Sequence, residues 1–233
     1  MLKTYLKEKQ AQMMNQQVDF YTPSGLHVYF KDKLENPNIS VEEVINSVEQ
    51  KVPSHLLSHV EMIIVGWFKE FEEREINAFY KDAILHVSNV QDDVDDMVDD
   101  IVHEVSHALE ENYGYEIYGD SKIKNEFLQK RERLYHELWS LGYKLPKAVF
   151  AELEYNKEFD EFLFKTVGYD KLSIIATGLF INPYSPTSLR EYFATGFTDF
   201  YMSNDHNTLK TISPELYKKL ILLHDEKTLD SVY

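Results

Sequence analysis

Apolar residues recur at steps of three and four along residues 91–114, the spacing expected for one face of a helix. The apolar positions are Val94, Met97, Val98, Ile101, Val102, Val105 and Leu109. Aspartates crowd the start of this segment, where the positive end of a helix dipole favours acidic side chains. Gly114 suits the helix end. The pattern therefore predicts one long helix that begins in an acidic run.

Upstream of this helix, β-branched and aromatic residues between turn signals predict short strands. Residues 18–30 read as two strands around a Pro-Ser-Gly turn, 59–68 as one strand, and 76–89 as one or two more. The last piece, 83–88, is expected at an edge of the sheet. These segments predict a small sheet in the first part of the chain.

Most of the other patterned segments favour helices. Ser40 and Glu43 form a capping-box signature for a helix that ends before Pro53. Downstream, helices are predicted over 121–146, over 147–167 with a break, from about Ser188, and over 213–225 with Ser213 as cap and Pro214 in the first position, while 172–180 is ambiguous. Strands and one helix followed mostly by helices predict an α+β fold with a small sheet.

The chain has 233 residues, without a linker-like segment or an internal repeat. We therefore expect one domain over 1–233, with a sheet-containing part, 1–91, and a helical part, 92–233. The N-terminus lacks the apolar core of a secretory signal, and no run of apolar residues is long enough to span a membrane. A cytoplasmic location is expected, although specialised export or packaging would leave no recognisable signal. The oligomeric state is not predicted.

The charge and the absence of cysteine restrict the chemistry. With no cysteine, disulfides, cysteine nucleophiles and thiolate metal sites are excluded, so any metal must be held by His, Asp or Glu. The net charge of −16 repels phosphate backbones, which makes nucleic acid an unsuitable partner. The same charge favours a cationic substrate such as a basic peptide, and it equally fits an acidic protein with no such role.

The predicted long helix contains the sequence HEVSH, and this spacing suits zinc chemistry. On a helix, His103 and His107 lie one above the other, so both imidazoles can approach one zinc ion. Glu104 projects about 100° around the axis from His103, from where it can reach a zinc-bound water as general base. The sequence HELWS has Ser140 in place of a second histidine and receives no role. A pair of surface histidines is the alternative interpretation of 103–107.

A catalytic zinc ion requires a third protein ligand and one open position for water. Glu110 lies about 10 Å of helix rise beyond His103, too far for convergence. Glu191, near the start of a predicted helix, is the best candidate. However, Ser188 and Glu191 also form a capping box, which would engage Glu191 locally, and the spacing favours neither role over the other. Asp199 and His206 are lesser candidates.

With these residues in place, the sequence resembles the lethal-factor-like zinc peptidases. That family's pattern is His-Glu-x-x-His followed much later by Glu-Phe-Phe-Ala-x-Ala-Phe, and this chain has HEVSH and EYFATGF, with Tyr192 for Phe and Gly196 for Ala. A tyrosine seven residues before the glutamate is also matched, by Tyr184. The resemblance covers 92–223 patchily, with a longer gap that includes an inserted helical stretch near 121–170.

The resemblance implies a zincin-like fold and a zinc endopeptidase. It implies that His103, His107 and Glu191 bind Zn²⁺, that Glu104 is the general base, and that Tyr184 stabilises the oxyanion. The substrate would be a peptide or protein bound as an added strand, with 83–88 as the expected docking edge. We expect one acidic residue to support and orient the histidines from behind, and the candidates are Asp99, Asp100 and Asp199.

Two departures from the family pattern limit what the resemblance implies. Thr195 stands where lethal factor has an acidic residue, which leaves the orientation of a ligand in doubt. Residues 1–91 carry no motif and none of a toxin's delivery domains. Three alternatives remain open: a non-catalytic protein that binds zinc, a zinc hydrolase that acts on a small amide or cell-wall peptide, and a protein in which the motif is fortuitous.

Overall fold

A computed structural model describes residues 19–230 of the chain. The chain divides into two compact units, one up to Ala108 and one from Leu109. The division falls within a single long helix. The expectation of one domain over 1–233 stays a prediction, and each unit is described by itself.

The first unit contains a small sheet, short helices and the first part of the long helix. Its strands are β1 (Asp19–Tyr21), β2 (His27–Phe30), β3 (Met62–Val65), β4 (Ala78–Lys81) and β5 (Ile84–Val87), and its helices are α1 (Val41–Lys51), α2 (Ser54–Leu57), α3 (Lys69–Arg74) and the start of α4 (Val94–Tyr118). The Ser40 hydroxyl accepts a hydrogen bond from the Glu43 backbone N–H at 3.3 Å and caps α1. The predicted strands and the predicted cap of α1 are therefore confirmed.

The five strands form one mixed sheet in the order β1-β2-β3-β5-β4. Strands β2, β3 and β5 are parallel, while β1 and β4 pair antiparallel with β2 and β5. The prediction that 83–88 forms an edge strand is wrong, because β5 lies between β3 and β4. Among the described strands, β4 forms the edge next to β5. Strand order depends on pairing between distant segments, which the alternation within one strand does not encode.

The two faces of the sheet differ in exposure. Val28, Ile63 and Leu85 are register neighbours across three strands, and each is at most 1% exposed. Their sequence neighbours Tyr29 and Ile64 point to the other face and are less buried. Alternation of this kind gives a sheet with one fully buried face, as expected for a strand period of two.

Helix α4 confirms the long helix predicted from the apolar spacing. Its stripe of apolar residues, from Met97 to Leu109, is buried. The Asp93 side chain accepts a hydrogen bond from the Asp96 N–H at 3.0 Å, so an aspartate caps the helix start. The backbone leaves helical geometry at Tyr113 (φ −115°, ψ 20°), directly before the predicted helix end at Gly114. The predicted end is therefore confirmed for the first of two helical segments, and the second segment continues as far as Tyr118.

The second unit is helical. After the end of α4 it contains α5 (Lys122–Ser140), a 3₁₀ helix (Lys147–Ala151), α6 (Lys157–Glu161), a π-helical turn (Phe162–Val167), α7 (Tyr169–Ile175), α8 (Leu189–Met202), α9 (Asn207–Ile212), α10 (Pro214–His224) and α11 (Glu226–Asp230). Helices α5, α8 and α10 pack against one another. The helices predicted over 121–146, after Ser188 and over 213–225 are confirmed, and 147–167 is helical with breaks, as predicted.

Glu126, on α5, joins the three packed helices of this unit. Its carboxylate accepts hydrogen bonds from the Tyr192 hydroxyl at 2.8 Å and from the Glu215 N–H at 2.8 Å. Glu126 therefore caps α10 from a neighbouring helix. Ser213 stands at the N-cap position, as predicted, but its hydroxyl accepts a hydrogen bond from Lys130 at 2.6 Å and makes no side-chain cap. The prediction of Ser213 as the capping side chain is wrong, because a longer acidic side chain takes that role.

The architecture is mixed α+β, with a small five-stranded sheet and a predominance of helix, as the sequence predicts. Within the described residues, no helix combines the length and the apolar character needed to cross a membrane.

Candidate metal centre

Helix α4 positions the two histidines of HEVSH. The ring centroids of His103 and His107 are 5.2 Å apart, and the ring planes are inclined by 80°. His103 follows the buried Val102, and His107 follows the buried Ser106 and is itself only 8% exposed. One turn of a well-anchored helix therefore holds two imidazoles close together, which is the arrangement that the i, i+4 spacing predicts.

Glu104 lies on the same turn and is 9% exposed. One turn earlier, Asp100 is buried, and burial raises the pKa of its carboxyl to about 6. The neighbouring charge of Glu104 contributes in the same direction, while the hydrogen bond from Gln91 (3.1 Å) and the charge of His103 oppose it. Two acidic groups thus lie close to His103 on one side of the helix.

Glu191 lies in the first turn of α8. The Ser188 hydroxyl caps this helix by accepting a hydrogen bond from the Glu191 N–H at 3.1 Å. The capping interpretation of Ser188 is therefore confirmed for the serine side chain. At this position the carboxylate of Glu191 is stabilised by the positive end of the helix dipole.

The structure brings the three predicted ligands into one group. One ring nitrogen each of His103 and His107 and one carboxylate oxygen of Glu191 all lie within 4.8 Å of one another. In the part of the chain that the structure describes, no other group of three such side chains meets this criterion, and neither Asp199 nor His206 is a member. Zinc ligands at about 2.1 Å from a tetrahedral ion are roughly 3.4 Å apart, so a small rotation of the side chains would suffice.

The donor set suits a borderline metal ion. Two imidazole nitrogens and one carboxylate oxygen form a ligand set found in catalytic zinc sites, and three protein ligands leave one coordination position open. Calcium and magnesium prefer all-oxygen surroundings and fit this group poorly. The chemistry of the donors therefore suits a transition-metal ion such as zinc better than calcium or magnesium.

Tyr184 lies in the loop before α8, where a turn holds its backbone. The Asn182 side-chain oxygen accepts hydrogen bonds from the Tyr184 N–H at 3.0 Å and the Ser185 N–H at 2.8 Å. Burial raises the pKa of the Tyr184 hydroxyl, and the charge of Glu191 raises it further. Tyr184 is therefore a protonated phenol close to the carboxylate of Glu191. A phenol must keep its proton in order to donate a hydrogen bond at this site.

Glu110, which the helix rise excluded as a ligand, has other partners. Its carboxylate accepts hydrogen bonds from the Tyr118 hydroxyl at 2.5 Å and from Arg190 Nε at 2.8 Å. Arg190 is the neighbour of Glu191, so this ion pair fixes the first turn of α8 to the end of α4. The sequence gives no sign of this contact, because the two residues are 80 positions apart.

The acids expected to support the histidines lie in two places. Burial raises the pKa of Asp99, and the charge of His103 opposes that shift. Asp99 and Asp100 thus both lie within electrostatic reach of His103. Burial also raises the pKa of Asp199, and there the opposing charge comes from His206. The choice among these three acids stays a prediction, now with two of them near His103.

A further group near Glu191 was missed by the sequence analysis. Tyr155, Asp160 and Tyr169 come from the helical stretch before α8, and all three contribute to the raised pKa of Tyr184. Tyrosine and aspartate are common at protein surfaces, and this segment contains no motif. No sequence signal therefore distinguishes these three residues from other polar positions. Only the folding of 152–170 against the start of α8 brings them together.

Comparison with known proteins identifies no relative: no family model, curated protein or solved structure matches this chain.

Proposed function

We propose that the protein is a zinc-dependent endopeptidase with a zincin-like fold. The observation that carries the proposal is the grouping of His103, His107 and Glu191 within 4.8 Å. Two of these residues were predicted from a local motif and the third from a segment more than eighty residues later. A fortuitous HExxH motif gives no reason for a carboxylate at that point.

The three residues would hold Zn²⁺, and the open coordination position would accept water. When bound, the ion lowers the pKa of that water towards ~7 and polarises a carbonyl group. Glu104 accepts a proton from the attacking water and then donates it to the leaving amine as the peptide bond breaks. A general base in this position contributes roughly 10²–10⁴-fold to the rate.

The Tyr184 hydroxyl would donate a hydrogen bond to the oxyanion that develops on the scissile carbonyl. A phenol keeps its proton at neutral pH, and burial raises the pKa of Tyr184 above the ordinary value. A preorganised donor of this kind contributes roughly 3 kcal/mol to transition-state stabilisation. In this role Tyr184 and Glu104 have separate tasks, one as donor to the oxyanion and one as proton carrier.

We further propose that the substrate pairs with β4 rather than with 83–88. Among the described strands, β4 is the edge next to β5, and β5 leads towards α4. An edge strand presents unpaired backbone groups to which an extended peptide can add as another strand.

The test is hydrolysis of a peptide library by the zinc-loaded protein and by Glu104→Gln. We expect cleavage to fall by at least ~100-fold in the variant while one zinc per chain is retained. Glu137→Gln is the matched control, because His136 and Glu137 form the look-alike HE pair on the exposed side of α5. Zinc binding without cleavage by the natural protein would instead indicate a non-catalytic zinc protein, and cleavage of small amides alone would indicate a different zinc hydrolase.

A further inference from the structure

The carboxylate of Asp160 is only partly satisfied. Its Oδ2 atom accepts a hydrogen bond from the Tyr155 hydroxyl at 2.9 Å. Its Oδ1 atom is buried and has no hydrogen-bond partner among residues 19–230. A buried carboxylate oxygen without a donor costs about 1–3 kcal/mol or more. A ligand that supplies a donor to this oxygen would therefore bind favourably.

Local structure sets the position of Asp160. The Asn156 side chain caps α6 by accepting a hydrogen bond from the Phe159 N–H at 3.1 Å, and Phe159 is fully buried. The next segment is a π-helical turn, a form that occurs frequently at functional sites. The anchored turn fixes the backbone at Asp160, so the position of its carboxylate is defined by the fold.

Asp160 lies within the field of the proposed catalytic groups. Burial, followed by the charges of Glu191 and Asp160, raises the pKa of Tyr184. Burial, followed by the charges of Asp160, Tyr155 and Glu191, raises that of Tyr169, and a hydrogen bond from Tyr169 to the Asp160 carboxylate acts in the same direction. Two of the groups named for these tyrosines, Asp160 and Glu191, are carboxylates, so both phenols lie near acidic side chains.

Aromatic rings border the same carboxylate. The ring of Phe164 lies 5.1 Å from that of Tyr169. Tyr155 is 55% exposed and Phe164 is 47% exposed, so this group reaches the surface. A carboxylate bordered by aromatic rings is suited to an ammonium or guanidinium group, through ion pairing and cation–π contacts.

We propose that Tyr155, Asp160 and Tyr169 form a subsite for a lysine or arginine side chain of the peptide substrate. Asp160 is the specificity residue, and its Oδ1 accepts a hydrogen bond from the cationic group. The inference rests on the proposed peptidase function and adds its substrate class. The three residues lie in the stretch inserted relative to the lethal-factor pattern, so the resemblance does not supply them.

The test uses pairs of otherwise identical peptides in which one arginine is replaced by citrulline, its neutral isostere, at each position around a cleaved bond. We expect the natural protein to show a kcat/KM at least ~10-fold higher for the arginine peptide at one position. Asp160→Asn should reduce this ratio to about one. Because both peptides are assayed on the same preparation, an inactive fraction of the variant does not change its arginine-to-citrulline ratio.

Asp170→Asn is the matched control, since it removes the same charge from an exposed position in the first turn of α7. It should retain the preference for arginine. The subsite is wrong if the natural protein shows no preference at any position, or if Asp160→Asn keeps it, while peptides are still cleaved. Failure of the natural protein to cleave any peptide would overturn the peptidase function and the subsite together.

Discussion

The side-chain oxygen of Thr195 lies 2.8 Å from that of Ser185, and this contact joins the Glu191 helix to the Tyr184 loop. Both residues are buried. Thr195 also donates a hydrogen bond to the backbone oxygen of Glu191 at 2.7 Å. The position that is acidic in the lethal-factor pattern thus has a different role here, because it connects the proposed metal ligand with the proposed oxyanion donor.

Replacing Thr195 with valine should lower kcat without loss of zinc. The valine keeps the shape but removes the contact with Ser185, so the Tyr184 loop is held less firmly. We expect kcat to fall roughly 10-fold, less than the 10²–10³-fold typical of deleting an oxyanion donor. Steady-state kinetics and zinc content would measure this effect.

Thr198→Val is the control for that experiment. Thr198 is a buried threonine on the same helix, and its hydroxyl donates to the Ala194 backbone oxygen at 3.0 Å. Equal losses of kcat in both variants would show that any buried hydroxyl on α8 matters and that the Ser185 contact has no special role.

Gly196→Ala should destabilise the protein although alanine is the residue in the lethal-factor pattern. A Cβ atom at this position would lie 2.3 Å from Cδ2 of Leu216, a fully buried side chain on α10. Overpacking of this kind costs about 1–3 kcal/mol, while the higher helix propensity of alanine returns up to ~1 kcal/mol. We expect a net loss of about 1 kcal/mol in the free energy of unfolding, measured by urea denaturation.

A double-mutant cycle with Leu216→Ala isolates the cause. If the clash is with Leu216, Gly196→Ala should be neutral or stabilising in the Leu216→Ala background. The same loss in both backgrounds would place the strain elsewhere in α8.

Arg131 should be among the most important side chains for the stability of the second unit. It is 1% exposed, and its guanidinium donates to the backbone oxygens of Val149 (2.6 Å) and Pro186 (2.7 Å), among other carbonyls. Because Pro186 lies two residues after Tyr184, the same side chain supports the loop that carries the proposed oxyanion donor. Lysine cannot place several N–H donors in the fixed planar arrangement of a guanidinium group. Arg131→Lys should therefore reduce the free energy of unfolding by about 3 kcal/mol.

The matched control is Arg133→Lys, an exposed position on the same helix. It should change the free energy of unfolding by less than ~0.5 kcal/mol. Comparable effects at the two positions would refute the role given to the buried guanidinium. Circular dichroism during urea titration measures both variants.

Lys130 should make stability depend on pH in the alkaline range. Burial lowers the pKa of its ammonium group from 10.5 to about 8, against the charge of Glu126. Between these two values the unfolded chain binds more protons than the folded protein, so the free energy of unfolding rises with pH. Below pH 8 both states are protonated, and the destabilising effect of the buried charge is fully present.

The comparison is between the natural protein and Lys130→Met at pH 7.5 and 9.5. We expect the natural protein to gain roughly 2 kcal/mol more than the variant over this interval. Parallel pH profiles for the two proteins would mean that Lys130 titrates at its ordinary pKa in the folded state.

Local signals in the sequence predicted the elements that local physics determines. The stripe from Val94 to Leu109 predicted α4, and the serines at 40 and 188 marked the starts of α1 and α8. Each signal acts within a few residues, through side-chain periodicity or a cap on the first free N–H groups. The pairing of His103 with His107 follows from the same helical spacing.

The remaining features depend on interactions between distant segments. The position of β5 inside the sheet is set by β3 and β4 as partners, and the cap of α10 comes from Glu126 rather than Ser213. The Asp160 carboxylate lies close enough to raise the pKa of Tyr184 only because residues 152–170 fold against the start of α8. Periodicity and capping rules contain no information of this kind. For Glu191 the sequence alone left two roles open, and only the family pattern favoured the metal.

The most direct test of the proposed metal centre is a crystal structure of the zinc-loaded protein with anomalous diffraction data collected on both sides of the zinc absorption edge. We predict one strong anomalous peak, at about 2.0–2.2 Å from a ring nitrogen of His103, a ring nitrogen of His107 and a carboxylate oxygen of Glu191. No anomalous peak at the two histidines, or a peak there with the Glu191 carboxylate turned away from the ion, would contradict it.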